Sequence, residues 1–217
     1  MKPAIPVTTV LILLSIAANS GSSQERPKGK EIPRLQPLPV SEMSSDWVKT
    51  LERLPGNALK GQFSPVNVFG TLMRSPATMG SFLDYWVTSK LKMALTGREQ
   101  ELVILRMGYL YNCEYVWKHH VPAAREYGAS EEEIRGLKTG QVPAFFSEKE
   151  MALLMLTDEM VKHRTIREEA WLKWRNGLTD SDLVELISLV SQYTFFSLLN
   201  NGLNVQVEEP LKDIPGL

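Results

Sequence analysis

Most residues able to do chemistry in this 217-residue chain lie in one stretch, Thr96 to Gly128. It holds the single cysteine, Cys113, two of the three histidines, His119 and His120, and the carboxylates Glu99, Glu101 and Glu114. On one helix Cys113 and His120, seven residues apart, would face within about 20° of each other and stand about 10 Å apart along the axis. That gap is too long for direct proton transfer but admits a substrate or water. Glu101 lies twelve residues before Cys113, so a straight helix would carry it about 18 Å away. A chain break is therefore required, and Asn112, a residue type favoured at helix N-caps, is the expected place. Folding back there lets Glu101 approach His120 across a helical hairpin. Cys113 would then sit in the first turn of the second helix, where free N–H groups favour a thiolate, although Glu114 opposes this. A lone cysteine on an apolar face is equally read as a small core residue. Leu105, Tyr109, Val116 and His120 share a face, so His120 is expected to be buried with Glu101 as its partner. His119 points about 100° away and is expected to be exposed. His163, one turn after Glu159, reads as a surface pair.

The counts restrict the other classes. One cysteine forbids an intrachain disulfide, a CxxC redox pair and a Cys-rich zinc site. The two adjacent histidines diverge, so no metal site or cofactor is expected. A formal net charge of −1 gives no reason to expect a nucleic-acid partner.

The elements that must position these residues read as helices. Strand alternation is nearly absent. Thr96-x-x-Glu99, Ser130-x-x-Glu133, Ser147-x-x-Glu150 and Thr165-x-x-Glu168 match the capping box, with Thr179-x-x-Asp182 a weaker relative. Ser64-Pro65 places a capping residue before a first-turn proline. Gly128, Gly140, Gly177 and Gly202 each follow an apolar-periodic segment, where glycine best makes a left-handed stop. The spacing predicts helices over 45–54, 65–74, 77–93, 97–111, 113–127, 131–139, 148–163, 167–176 and 180–201. The last is apolar nearly all round, which predicts a place in the core or at a subunit interface, with Tyr193–Leu199 the interface candidate.

Residues 1–20 carry Lys2, an apolar run from Val7 to Ala18 and small residues after it, the pattern of a signal peptide. An exported chain, free of the membrane after cleavage, is expected. Residues 21–40 hold four prolines and read as an extended linker. One helical domain is expected over 41–209, with 210–217 as a tail.

The chemistry-bearing stretch resembles the carboxymuconolactone decarboxylase family, which includes the alkylhydroperoxidase D-like proteins. The resemblance rests on R-E-x-E-L at Arg98–Leu102, N-C-x-Y-x-W-x-x-H at Asn112–His120 and A-A-x-x-x-G at Ala123–Gly128. Phe146–Glu150, Asp158–Glu159, Trp171, Leu183–Leu186, Tyr193 and Asn200–Asn201 extend it over roughly residues 60–205. It implies an all-α bundle that assembles as a homo-oligomer around a small-molecule substrate. It also implies a catalytic set of Glu101, Cys113 and His120, with Tyr115, Val116 and Trp117 lining the pocket. In the peroxidase branch the second cysteine of the dithiol falls at Val116, as does the glutamate of another pattern in the family. A two-cysteine cycle is therefore impossible within one such site. Three readings follow: acid–base chemistry on a small carboxylated or lactone-like substrate, a one-cysteine peroxidase of peroxiredoxin type, or a non-enzymatic oligomeric binding protein.

Overall fold

In a computed structural model, residues 32–51 and 67–217 are described. The expected signal peptide, residues 21–31 of the expected linker, the predicted Ser64-Pro65 cap and the end of the first predicted helix lie outside them. The helices are α1 (Ser45–Leu51), α2 (Asn67–Leu72), α3 (Pro76–Lys92), α4 (Gly97–Leu110), α5 (Glu114–Glu126), α6 (Glu131–Gly136), α7 (Glu148–His163), α8 (Glu168–Trp174) and α9 (Asp180–Leu203). No strand occurs among the described residues.

The helix starts follow local side-chain chemistry. Thr96, Ser130, Ser147 and Thr179 each close a complete capping box. Thr165 does not cap its helix. Arg167 is the N-cap of α8, and its backbone N–H and guanidinium both go to Glu159 on α7. That ion pair, made across the turn, replaces the hydroxyl cap. Of the four predicted glycine stops, Gly128 and Gly177 adopt positive φ. Gly202 lies within α9, which ends two residues later at the left-handed Asn204.

The centre of the bundle is α4, which packs on α5, α7 and α9. Val103, Ile104 and Met107 face the larger apolar core; Leu102 and Leu105 face a smaller one shared with Trp117, Val121 and Leu154. Between them Arg106 is fully buried and forms a bidentate pair with Asp158 of α7, at 2.6 and 2.7 Å. Its Nη1 donates to the carbonyls of Leu137 and Thr139, so each of the three guanidinium nitrogens of the buried charge has a partner. The helix expected in the core or at a subunit interface, α9, buries one side and exposes Val184, Ile187 and Leu198 on the other.

Both flanking segments make defined contacts. Leu38 N–H donates to the Gly70 carbonyl, and a Cβ at Gly70 would stand 2.7 Å from the Leu38 oxygen. Residues 210–217, read from the sequence as a tail, pack against α5 and the start of the α6–α7 connection. Trp117 Nε1 donates to the Pro215 carbonyl, Lys118 to Lys212 and Lys138 to Gly216.

Candidate active site

The site is built on the α4–α5 hairpin. The chain does break at Asn112, but not as an N-cap. Asn112 has φ 48° and supplies the left-handed residue that stops α4. Its N–H bonds to the Tyr109 carbonyl and the Cys113 N–H to the Gly108 carbonyl, the paired bonds of a Schellman stop. Cys113 is then the N-cap of α5. Gly108 lets the two helices approach: a Cβ there would lie 3.3 Å from the Trp117 nitrogen.

This fold-back brings Glu101 to His120. Glu101 Oε2 lies 2.5 Å from His120 Nδ1, and Oε1 accepts from Lys90 Nζ of α3 at 2.9 Å. Burial alone would raise the Glu101 pKa, but the charges of His120 and Lys90 and their hydrogen bonds outweigh it and hold it at about 2. Glu101 is therefore a carboxylate at neutral pH and can only accept. In the neutral imidazole the proton therefore sits on Nδ1, facing the carboxylate, and the lone pair on Nε2. The Tyr193 hydroxyl stands 3.2 Å from Nε2. Burial, and then the Glu101 charge, raise the Tyr193 pKa well above the ordinary value, so the phenol keeps its proton and donates to Nε2. The result is a hydrogen-bonded line in which Tyr193 donates to His120, and His120 and Lys90 both donate to Glu101, drawn from α9, α5, α3 and α4.

These four residues line a cavity of about 540 Å³ with Phe69, Trp86 and Phe196 among its walls. Tyr115 and Val116 line it as expected. Two predicted members do not. Cys113 is 0% exposed and sits in the larger apolar core, away from the cavity lining. As the N-cap of α5 it has non-helical angles and does not follow the helical wheel that carries His120. Trp117, one residue past Val116, points instead into the smaller core, with Lys138 over its ring.

His119, expected on the surface, is half-buried and lines the same cavity. Its Nε2 lies 2.6 Å from Glu208, which also accepts from the Tyr115 hydroxyl at 2.9 Å. The rings of His119 and Tyr115 stack with centroids 4.3 Å apart. Burial would raise the Glu208 pKa, yet the His119 hydrogen bond and charge lower it. The carboxylate that draws His119 inward comes from the segment after α9, beyond the reach of helical periodicity.

The all-α bundle has the fold of solved alkylhydroperoxidase AhpD-like proteins. In sequence, residues 76–159 match the carboxymuconolactone decarboxylase family. These residues include Lys90 and the whole α4–α5 hairpin. A peroxidase-related protein from Ralstonia eutropha with an alkylhydroperoxidase AhpD core superposes with a TM-score of 0.71 at 20% identity, over 84% of this chain and 96% of that one. The debrominase Bmp8, solved as a cysteine-to-alanine variant with 2,3,4-tribromopyrrole, gives 0.66 at 14% identity over 82% and 92%. A peroxidase-related protein from Silicibacter gives 0.61 at 15% identity over 68% and 78%. At these identities the likeness is one of fold. No curated protein matches the chain in sequence.

Proposed function

We propose that the cavity is the active site of an acid–base enzyme acting on a small lactone-like or carboxylated molecule, with His120 as the proton-transfer group and Glu101 as its orienting carboxylate. The observation that carries this reading is the 2.5 Å Glu101–His120 pair in the wall of an apolar cavity. Glu101 fixes the tautomer and stabilises the imidazolium that forms when Nε2 takes a proton. Nε2 removes a proton from the carbon beside the substrate carbonyl, and the electron pair of that C–H bond becomes an enolate. The imidazolium then delivers that proton to another carbon of the conjugated enolate, so a C–H bond forms there and a double bond moves, and no oxidant or reductant is consumed. A ligand entering the cavity displaces the long Tyr193 contact and takes its place at Nε2. Of the two substrate types, the uncharged lactone suits the walls better. Among the described residues Lys90 is the only lysine or arginine in the lining, and Glu101 already matches its charge. A relative solved with a small halogenated pyrrole agrees with a ring-sized ligand on this fold.

The peroxidase reading requires an accessible thiolate, and the burial of Cys113 argues against it. Stoichiometric peroxide is expected to leave the intact mass of the folded protein unchanged; a rapid sulfenic adduct at Cys113 would restore that reading. Export and homo-oligomer formation remain part of the proposal, the first supported by the residue 1–20 pattern and the second by the exposed apolar side of α9. The deciding experiment is a screen of lactones and β-keto acids with wild type, Glu101→Gln and His120→Ala. Turnover is expected to depend on both residues. Turnover that is absent, or indifferent to His120→Ala, would sink the proposal.

A further inference from the structure

The lining holds further polar side chains outside the line from Lys90 to Tyr193, and two of them are buried amides. Gln100 and Asn200 are only 4% and 3% exposed, and both belong to the lining. Gln100 Nε2 donates to the Leu95 carbonyl at 2.8 Å. That bond fixes the amide, because only the nitrogen can face a carbonyl, and so Oε1 is the atom turned away. Among the described residues, two amide oxygens of the lining, Gln100 Oε1 and Asn200 Oδ1, are buried without a hydrogen-bond partner, beside the Trp86 indole Nε1 of the same lining, and Ser197 Oγ is a fourth such atom. Leaving such an atom unsatisfied costs about 1–3 kcal/mol. Folded proteins hold few of them, and these two share one cavity.

We propose that the cavity recognises an uncharged ring molecule bearing a hydroxyl or N–H group, which donates to Gln100 Oε1 while a second polar group meets the Asn200 amide. An acceptor fixed by its neighbour can be satisfied only by a donor. An anionic oxygen in that position would be repelled by Oε1 and would find Lys90 already paired with Glu101. The aromatic walls favour a flat body: Trp86 stands 5.4 Å from Phe69 and 5.5 Å from Phe196 between ring centroids. The cavity, about 540 Å³, lies within the roughly 300–1,000 Å³ typical of small-molecule sites. Gln100 directly precedes Glu101 on α4, so a donor held there sets the ring beside the Glu101–His120 pair. The inference rests on the proposed function in taking this cavity as the substrate site, and it specifies the substrate's chemistry.

The test is calorimetric titration of the intact protein with resorcinol and with its dimethyl ether, which keeps the ring and removes both donors. Resorcinol is expected to bind saturably and about tenfold or more tightly than the ether. Gln100→Leu is expected to bring the two within about threefold of each other. Asn200→Leu, which leaves the Leu95 contact intact, is expected to weaken resorcinol alone. Equal affinity of wild type for the two probes, or no saturable binding of resorcinol, overturns the inference without recourse to a variant. His120→Ala separates the two proposals, since it is expected to abolish turnover and keep the preference for resorcinol. A resorcinol preference without lactone turnover refutes only the acid–base function. Lactone turnover without a resorcinol preference refutes only the donor inference.

Discussion

Glu101 accepts from Lys90 with one oxygen and faces His120 Nδ1 with the other, and the folded chain holds it as the carboxylate. Its pKa falls from 4.5 to about 2 in the folded chain. A carboxyl with a depressed folded pKa contributes stability that is fully present above its unfolded value and is lost as pH falls through the folded one. Denaturant midpoints of the wild type are therefore expected to drop between about pH 5 and pH 2, and Glu101→Gln is expected to show a shallower drop over that window. The same variant is expected to lower turnover about 10²- to 10⁴-fold, since it leaves an amide where an imidazolium must be stabilised. Tyr193→Phe removes only the long contact to Nε2 and is expected to shift the pH–rate profile while changing the maximal rate less than about tenfold. Glu101 and His120 were legible in the sequence because a single hairpin joins them, nineteen residues apart. The inward turn of His119 was not, because Glu208 lies 89 residues further on. Nor was the place of Tyr193, whose partner His120 is 73 residues before it.

The α4–α5 turn is the element on which the site depends. Asn112 holds a left-handed conformation there. Asn112→Gly is expected to be close to neutral and Asn112→Val to cost about 1–2 kcal/mol, read from urea denaturation. Thr96→Ala, which opens the capping box of α4, is expected to cost about 0.5–2 kcal/mol by the same measurement. Helix positions were readable from the sequence because their signals are local: a hydroxyl and a carboxylate three residues apart report on one turn of backbone. The prediction of 148–163 matches α7 in full. Thr165 misled because a competing contact, Arg167 to Glu159, is set by packing of α8 on α7 and not by the cap sequence. Cys113 misled for a related reason. Spacing placed it near the face of His120, but a residue that caps a helix has non-helical angles and follows the turn instead of the helical wheel.

Across the whole molecule, α4 is enclosed by α5, α7 and α9, while α9 keeps an exposed apolar side. Val184 and Leu198 are 68% and 62% exposed on it. If that side joins copies of the chain, Val184→Glu with Leu198→Glu is expected to reduce the mass seen by light scattering to that of one chain without lowering the melting temperature of the bundle. An unchanged mass would count against an interface there. Burial of the only thiol has a practical consequence of a different kind. Cys113 lies at the joint between the two helices that carry the site, with none of its surface exposed. A thiol reagent can reach it only through molecules in which that joint has opened. The labelling rate of the untouched protein is thus a built-in clock for the opening of its own active-site hairpin. Read against denaturant, it would tell whether the hairpin opens alone or only when the bundle does.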